Sequence, residues 1–483
     1  MSDAFAWRWS GGGRGLRVTS GGEDVCEVTF GIPEGPEAGV SHEVEDEVSY
    51  AVGEIGFRLS VRDLVGDWAV ELALDNRSDE TQAAPPLGMV VRVAPGWTGW
   101  SWTAESDGFL VISREEGDRP SLLIRLRQGF LRESSPSPRF SPSGRRAEAL
   151  EPNMAAFFLA NPTGSLRPFA RHVTRLEFGP IDRLEQARAA MPGWVPELIA
   201  RPGDAIRFDT PDQALVPGHG VTVASDDIAG VATAAAGHRE IAVHGARGVT
   251  RLRPTFEPDP RVLAAEVVAP LLGRRPGGLP TASGAVVAAA LSRRVVADPN
   301  AALDWLEQED WLAREDQFAP LVALAVAVET HDEALGIAAL DVLARRRFGA
   351  GDGLIASWAW VAGLQMGVAP LDLSAILAKA TTPAERFEAS LVGQGPEAVC
   401  AGGVQTLVRR LGADLPGAPM GLGATDAGLA IALLRAVPEH SSLRAEAVAA
   451  SDKAAALLAA DYVDGLQPTY DGLAWLLWSE TLS

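Results

Sequence analysis

The sequence predicts a β region followed by an all-α region, and three observations carry that prediction. Before about Arg251, short runs alternate apolar and polar residues, the period of a strand whose two faces differ. Beyond Pro260, apolar residues recur at helical spacing almost to the C-terminus. Between the two lies Glu257-Pro258-Asp259-Pro260. Each proline lacks an N–H and pushes its predecessor out of the helical region, so the tetrapeptide stops whatever precedes it. Pro260 suits the first turn of a new helix, with Asp259 as its N-cap.

The N-terminal part reads as a large antiparallel β-sandwich over residues 1–180. Alternating runs begin at Phe5, Leu16, Asp24, Ile55, Asp67, Leu87, Gly108, Ser121, Met154 and Arg171. Gly, Pro, Asn and Asp separate them, as turns require. Ten or more strands with so little helix leave few alternatives to a sandwich. The Ser/Pro-rich stretch 133–146 cannot sit inside a sheet. The run His42 to Glu47 (HEVEDE) fits a charged edge strand that discourages pairing with another chain.

Residues 181–196 read as a helical linker, because Leu184, Ala187 and Met191 share a helical face and Pro192-Gly193 ends it. A second β segment, 197–257, holds five to seven short strands and is expected to form a small immunoglobulin-like sandwich or to continue the first sheet. Residues 258–483 then form an all-α domain of helical hairpins. Its helices are expected at 260–272, 281–297, 300–313, 315–329, 332–348, 353–366, 371–380, 383–393, 396–411, 425–437, 441–460 and 469–481. Thr382-Pro383-Ala384-Glu385 is a capping box with proline at the first helical position. Consecutive hairpins of this length build a closed α/α toroid or an open helical-repeat solenoid. Segments such as PLVALAVAV from Pro320 are apolar all round, which calls for burial on two sides and favours the closed form.

The chain has 483 residues, 63 acidic against 42 basic side chains, and a formal net charge of −21. The acid excess is spread over both halves, so neither is a basic module, and such a field repels a phosphate backbone. Nucleic acid is therefore not the expected partner. Cys26 and Cys400 lie far apart and suggest neither a disulfide framework nor a metal. No Sec-type leader and no apolar run of membrane-spanning length is visible, so the expected location is cytoplasmic. No cofactor is expected: Gly11-Gly12-Gly13 and Gly21-Gly22 lack the strand-to-helix setting of a phosphate cradle.

Candidate site residues fall in four groups. Trp97, Trp100 and Trp102 could offer flat rings to a sugar, and the plainer reading is a hydrophobic core or hairpin clasp. Trp305 and Trp311 stand among Asp304, Glu307, Glu309 and Asp310, with Glu315 and Asp316 opening the next helix. Paired carboxylates there could act on a glycosidic bond, although i,i+3 acids also make an ordinary solvated face. Asp352 lies in a Gly-Asp-Gly loop before a helix bearing Trp358, Trp360 and Gln365; Tyr470-Asp471 and Glu480 pose the same choice near the C-terminus. His238 and His244, six apart, are expected on one strand face without enough ligands for a metal.

This layout resembles that of carbohydrate-active enzymes in which a galactose-mutarotase-like sandwich precedes an α/α toroid, as in glucoamylase-like hydrolases and glycoside phosphorylases. VELALDNRSDE from Val70, the linker IDRLEQARAAMPGWVPEL and the hairpins after Pro260 carry the resemblance. It implies a carbohydrate-binding or carbohydrate-processing protein, glycoside hydrolase-like if an enzyme. Glu315, Asp316 and Asp352 would then be the carboxylates, and Trp305, Trp311 and Trp358 would line the toroid mouth. The competing expectations are a non-catalytic helical scaffold for a protein partner and an isoprenoid-cyclase-like toroid. The latter lacks the aspartate-rich motifs, since Asp226-Asp227 has no third acid.

Overall fold

A computed structural model describes residues 5–10, 15–31, 40–44, 47–64, 66–85, 87–133, 153–161, 163–209, 214–224, 230–233, 235–245, 248–368, 371–395, 397–412, 415–465 and 469–480. The triglycine at 11–13, nearly all of the Ser/Pro-rich stretch and Asp226-Asp227 lie outside them. The chain divides into two compact units. One comprises 1–234, 239–254 and 414–422; the other comprises 235–238, 255–413 and 423–483.

The first unit is an antiparallel sandwich. One sheet has six strands in the order Ala6–Ser10, Gly15–Ser20, Glu23–Gly31, Gly88–Val93, Met154–Phe158, Arg132–Glu133. The other has nine, running from Ala418–Pro419 through Trp97–Thr103, Gly108–Arg114, Ser121–Gln128, Arg171–Ile181, Trp68–Asn76, Ile55–Asp63 and Glu47–Val52 to Val40–Val44. Alternation along these strands sends Leu16, Val18, Val28, Phe30, Phe57, Leu72 and Phe178 into one shared core, as period-two patterning requires. The acidic run does contribute an edge strand, Val40–Val44. Asn76, which ends the strand of the VELALDN line, is buried but fully engaged. Its amide donates to the carbonyls of Glu80, Leu166 and Arg167, and its Oδ1 accepts from Ser78.

Three features depart from the sequence expectation. The linker helix shrinks to α1 (Glu185–Arg188), because the preceding strand runs on to Ile181 and pairs it with Ser121. Three apolar positions are too few to nucleate a longer helix against that pairing. His238 and His244 occupy different strands, Gly237–His238 and Ile241–Gly245, so strand alternation does not relate them. A two-residue strand, Ala418–Pro419, leaves the helical stretch of sequence and pairs with Trp100 and Ser101. Gly417, at φ +94°, makes this approach feasible: a Cβ there would fall 2.0 Å from the Ser101 carbonyl oxygen.

Residues 239–254 join the sandwich through an ion-pair cluster. Glu105 accepts from Arg251 at 3.0 Å and pairs with Arg132 at 3.3 Å, while Arg251 also donates to Glu240 at 2.6 Å. Burial raises the Glu105 carboxyl, and the two guanidiniums pull it back. Removing the carboxylate takes one partner from each of two exposed guanidiniums while Arg251 keeps Glu240, at a cost of about 1 kcal/mol. Glu105→Ala is therefore expected to lower the stability of the sandwich by that amount in urea titrations. Amide exchange should rise first in the hairpin 241–252; protection unchanged there would refute the pinning role.

The second unit is helical. It contains α2 (Pro260–Leu272), α3 (Thr281–Ser292), α4 (Pro299–Glu307), α5 (Ala319–Thr330), α6 (Glu333–Arg345), α7 (Asp352–Met366), α8 (Leu373–Leu377), α9 (Pro383–Val392), α10 (Glu397–Arg410), α11 (Ala424–Arg435), α12 (Arg444–Val463) and α13 (Asp471–Ser479). Helices α3, α5, α7, α9, α10, α11 and α13 each pack on the next, and α13 packs back on α3. The ring therefore closes, the toroid alternative among the two the sequence allowed. Helices α3, α5 and α13 are buried on nearly every side, whereas α4 and α6 bury one stripe. Two-sided burial explains the all-round apolar sequences.

Candidate functional site

Acidic side chains start many of these helices. Asp259, Asp298, Asp332 and Asp372 accept the backbone N–H of residues two or three further on, and Thr382 with Glu385 forms the expected capping box. Helix α7 is capped from outside. Glu388, on α9, accepts from the backbone N–H groups of Gly351 (2.8 Å), Gly353 (2.7 Å) and Leu354 (3.2 Å). These are orphan donors of a helix start, and a carboxylate also suits the positive end of the helix dipole. Burial nevertheless dominates: it pushes the Glu388 carboxyl up to about 7, against the pull of the three N–H donors and with a further push from Asp352.

The ring is filled along its axis by aromatic side chains. Trp475 packs against Phe318 (centroids 4.7 Å apart) and Trp358 (5.8 Å), and Trp358 stacks on Trp478 at 5.8 Å and 24°. Gly351, at φ +86°, leaves room for the Trp475 ring, whose nearest carbon lies 2.3 Å from where a Cβ would stand.

Beyond this plug a cleft of about 750 Å³ opens. Its walls are the start of α2 (Asp259 to Arg261), the end of α3 (Ser292 to Val295), α5 from Leu321 to Glu329, α7 from Trp358 to Gln365, and Trp478 and Glu480. The volume suits a ligand of several hundred daltons. Trp358 presents an additional feature: its buried indole N–H has no acceptor among the described residues. The buried indole N–H groups of Trp68, Trp97, Trp100 and Trp475 share this condition.

Charged groups frame the cleft in pairs. Glu480 is held by Arg293 at 2.9 Å and by Arg435 at 3.4 Å. Glu329 is held by Arg294 at 2.8 Å. The end of α3 is formed by Val295 N–H bonding to the Ala290 carbonyl and Arg294 N–H to that of Leu291, a Schellman closure. Arg294 occupies its left-handed position at φ +57°, where glycine is usual. The same closure ends α3 at Ser292, five residues before the sequence expectation.

Of the residues singled out from sequence, Trp358, Gln365 and Glu480 line this cleft. Trp305 and Trp311 lie elsewhere, buried together at 6.2 Å, with their indoles donating to the carbonyls of Arg274 and Leu306. Trp97, Trp100 and Trp102 are buried on their strand; Trp97 belongs to the sandwich core and Trp102 packs on Phe109. Glu315 is exposed, and Asp316 accepts from the Phe318 N–H at 2.9 Å, ahead of α5. Asp316 also raises the half-buried Asp471 carboxyl, where desolvation is the larger cause. Asp352 begins α7, at the end away from Gln365. It is 6% exposed, accepts from Gly349 N–H at 2.8 Å and pairs with Arg346 at 3.6 Å. Burial raises its carboxyl against those two partners.

Sequence reasoning passed over Glu329, Arg293, Arg294 and Trp478. A visible signal was the Arg-Arg pair that ends an otherwise apolar helix. His238 bonds to Thr255 Oγ1 and Asp461 Oδ1, both at 3.0 Å, and its N–H donates to Asp464. Thr255 is buried, so this chain of polar groups anchors α12 to the short strand pair 237–238 and 255–256. Among the described residues no group of His, Cys, Asp and Glu is placed to hold a metal, and no helix is long and apolar enough to cross a membrane.

No protein-family model matches the chain, and no curated protein does. Among solved structures, a polysaccharide lyase overlaps 91% of this chain and 74% of its own, with a TM-score of 0.48 and 11% identity. A galactose mutarotase-related enzyme from Lactobacillus acidophilus overlaps 35% of this chain and 90% of its own (TM-score 0.23, 6% identity). A GH92 α-mannosidase from Bacteroides thetaiotaomicron overlaps 93% and 77% (TM-score 0.19, 10% identity). All three names describe carbohydrate-related enzymes. The likeness is one of layout, and the reading of the cleft rests on its side chains.

The Glu388 carboxyl gives a signed pH prediction. Its folded value, about 7, lies above its ordinary 4.5. The stability it contributes is therefore complete below pH 4.5 and is lost as pH rises towards 7. At roughly 1.4 kcal/mol per unit, the loss is on the order of 3 kcal/mol. Thermal melts of the helical unit within the whole chain should fall from pH 5 to pH 8, and Glu388→Gln should flatten that slope. Glu388→Ala should cost about 2–4 kcal/mol at either pH, because three buried N–H groups lose their acceptor. A wild-type slope unchanged in Glu388→Gln would refute the assignment.

Proposed function

We propose that the helical unit is a saccharide-binding module and that the ligand lies in the cleft beside Trp358. The observation that carries this reading is the stacked Trp358–Trp478 pair in a cleft of saccharide size. Saccharides offer a C–H face to such aromatic and apolar walls and hydroxyl groups to a polar rim. Arg293, Arg294, Gln365 and Glu329 supply the polar rim. Within this reading Trp358 is the ligand-contacting tryptophan of the sequence-selected set. Trp97, Trp100, Trp102, Trp305 and Trp311 serve packing, and Asp316 and Asp352 hold helix starts.

Calorimetry against a panel of oligosaccharides tests the proposal. At least one should bind with a dissociation constant in the micromolar to millimolar range. Gln365→Ala should weaken it several-fold, with the melting temperature unchanged because Gln365 lies at the cleft wall. Trp358→Phe, which leaves a smaller ring in the cleft wall, should weaken it by about three- to tenfold, the value of one aromatic contact. No heat with any member of the panel would sink the reading.

A protein-docking role has one specific observation in its favour. Trp360, Val361 and Leu364 on α7 and Ile337 and Val342 on α6 are exposed apolar side chains. Contiguous patches of that kind mark interaction surfaces. Trp360→Ser should abolish any self-association seen in sedimentation while leaving saccharide affinity unchanged. An affinity that fell with it would assign Trp360 to the ligand instead.

A further inference from the structure

The charge pattern of the cleft deepens that reading, and the inference rests on it. The chain as a whole carries −21, yet Arg261, Arg293 and Arg294 line this cleft and Arg435 pairs with its Glu480. Three carboxylates line the cleft, and each has an assigned partner. Asp259 accepts from the Arg261 backbone N–H as the cap of α2. Glu329 is paired with Arg294, and Glu480 is shared between Arg293 and Arg435. The cations are less fully committed. Arg293 and Arg435 together face one cleft carboxylate, with Arg435 reaching the exposed Asp452 only at 3.5 Å. The exposed Arg261 guanidinium has no carboxylate partner among the described residues. Arg294 is 63% exposed beyond its bond to Glu329, and a guanidinium has five N–H donors.

Arg294 adds a second line of argument. Its left-handed backbone at the Schellman position would be less strained as glycine, which has no Cβ penalty there. An arginine at that position costs helix-end stability, and the structure shows what its side chain does: it stands at the cleft mouth. Strained backbone kept at a cavity rim points to a role for the side chain.

We infer that the saccharide bound in this cleft carries an anionic substituent, a carboxylate or a sulfate, held by Arg261 and Arg294. Both groups are planar or compact arrays of oxygens that a guanidinium grips with paired, charge-assisted hydrogen bonds.

Three oligosaccharides of equal length separate the outcomes: a neutral one, one bearing carboxylates and one bearing sulfates, each titrated calorimetrically into the full chain. One anionic member should bind at least about tenfold more tightly than the neutral one, with an affinity that falls as sodium chloride is raised. Whichever anion prevails identifies the substituent. Arg294→Gly should fold at least as stably as the wild type and lose about tenfold in affinity for that ligand, a larger loss than for the neutral one. Arg261→Gln, at an exposed site, should behave alike. Equal binding of all three, or an anionic preference indifferent to salt and to both variants, overturns this inference while leaving a saccharide-binding module in place. Binding of none of the three, nor of any panel member, removes the underlying reading.

Discussion

The helical unit depends on one packing event, the burial of Trp475 between Phe318 and Trp358. Helix α13 comes last in the sequence, and closing the ring requires it to lie against α3, the second helix of the unit. The indoles supply the area that makes this long-range closure favourable. An aromatic side chain buries roughly 150–250 Å², and its stacking adds to that. Gly351 is the condition for it, because any side chain there would stand where the Trp475 ring lies. The Gly-Asp-Gly loop thus serves the ring first. Its aspartate begins a helix, and its first glycine makes room for an indole.

Much of the architecture was legible in the sequence, for physical reasons. The Pro258–Pro260 seam stops strands and starts α2 at the residue expected. The apolar all-round segments became the inner helices, since only two-sided burial tolerates them. The Thr382 capping box could be read because all its parts lie within four residues. Where the reading failed, longer-range pairing had overridden the local pattern. Ile181 went to a strand because Ser121 was its neighbour, and Ala418-Pro419 joined a sheet whose other strands lie hundreds of residues earlier.

The cleft was mostly illegible, and for a different reason. Tryptophan has the same sequence signature whether it plugs a core or lines a cavity. Trp305 with Trp311 and Trp358 with Trp478 are both close indole pairs, yet only the second reaches the cleft. The ion pairs that frame it join residues far apart: Arg293 to Glu480, and Arg435 to the same carboxylate from another helix. No spacing rule links such positions. Several of the carboxylates that looked poised for chemistry are engaged in starting helices, a use that an excess of acid in a helix-rich chain makes common.

That commitment of carboxylates bears on what the cleft is for. Hydrolysis of a glycosidic bond needs one carboxyl group able to give up a proton and another free to attack or to activate water. Asp259 has an oxygen tied to its helix, Glu329 is paired to Arg294, and Glu480 engages two guanidiniums with its two oxygens. The arrangement rigidifies the walls and fixes the direction of the arginines. On the proposed reading, preorganised donors of this kind lower the cost of ordering side chains when a saccharide binds. The acids of the cleft are each tied to a neighbouring cation or backbone N–H, and the charged groups that remain open to solvent at its rim are the exposed guanidiniums of Arg261 and Arg294.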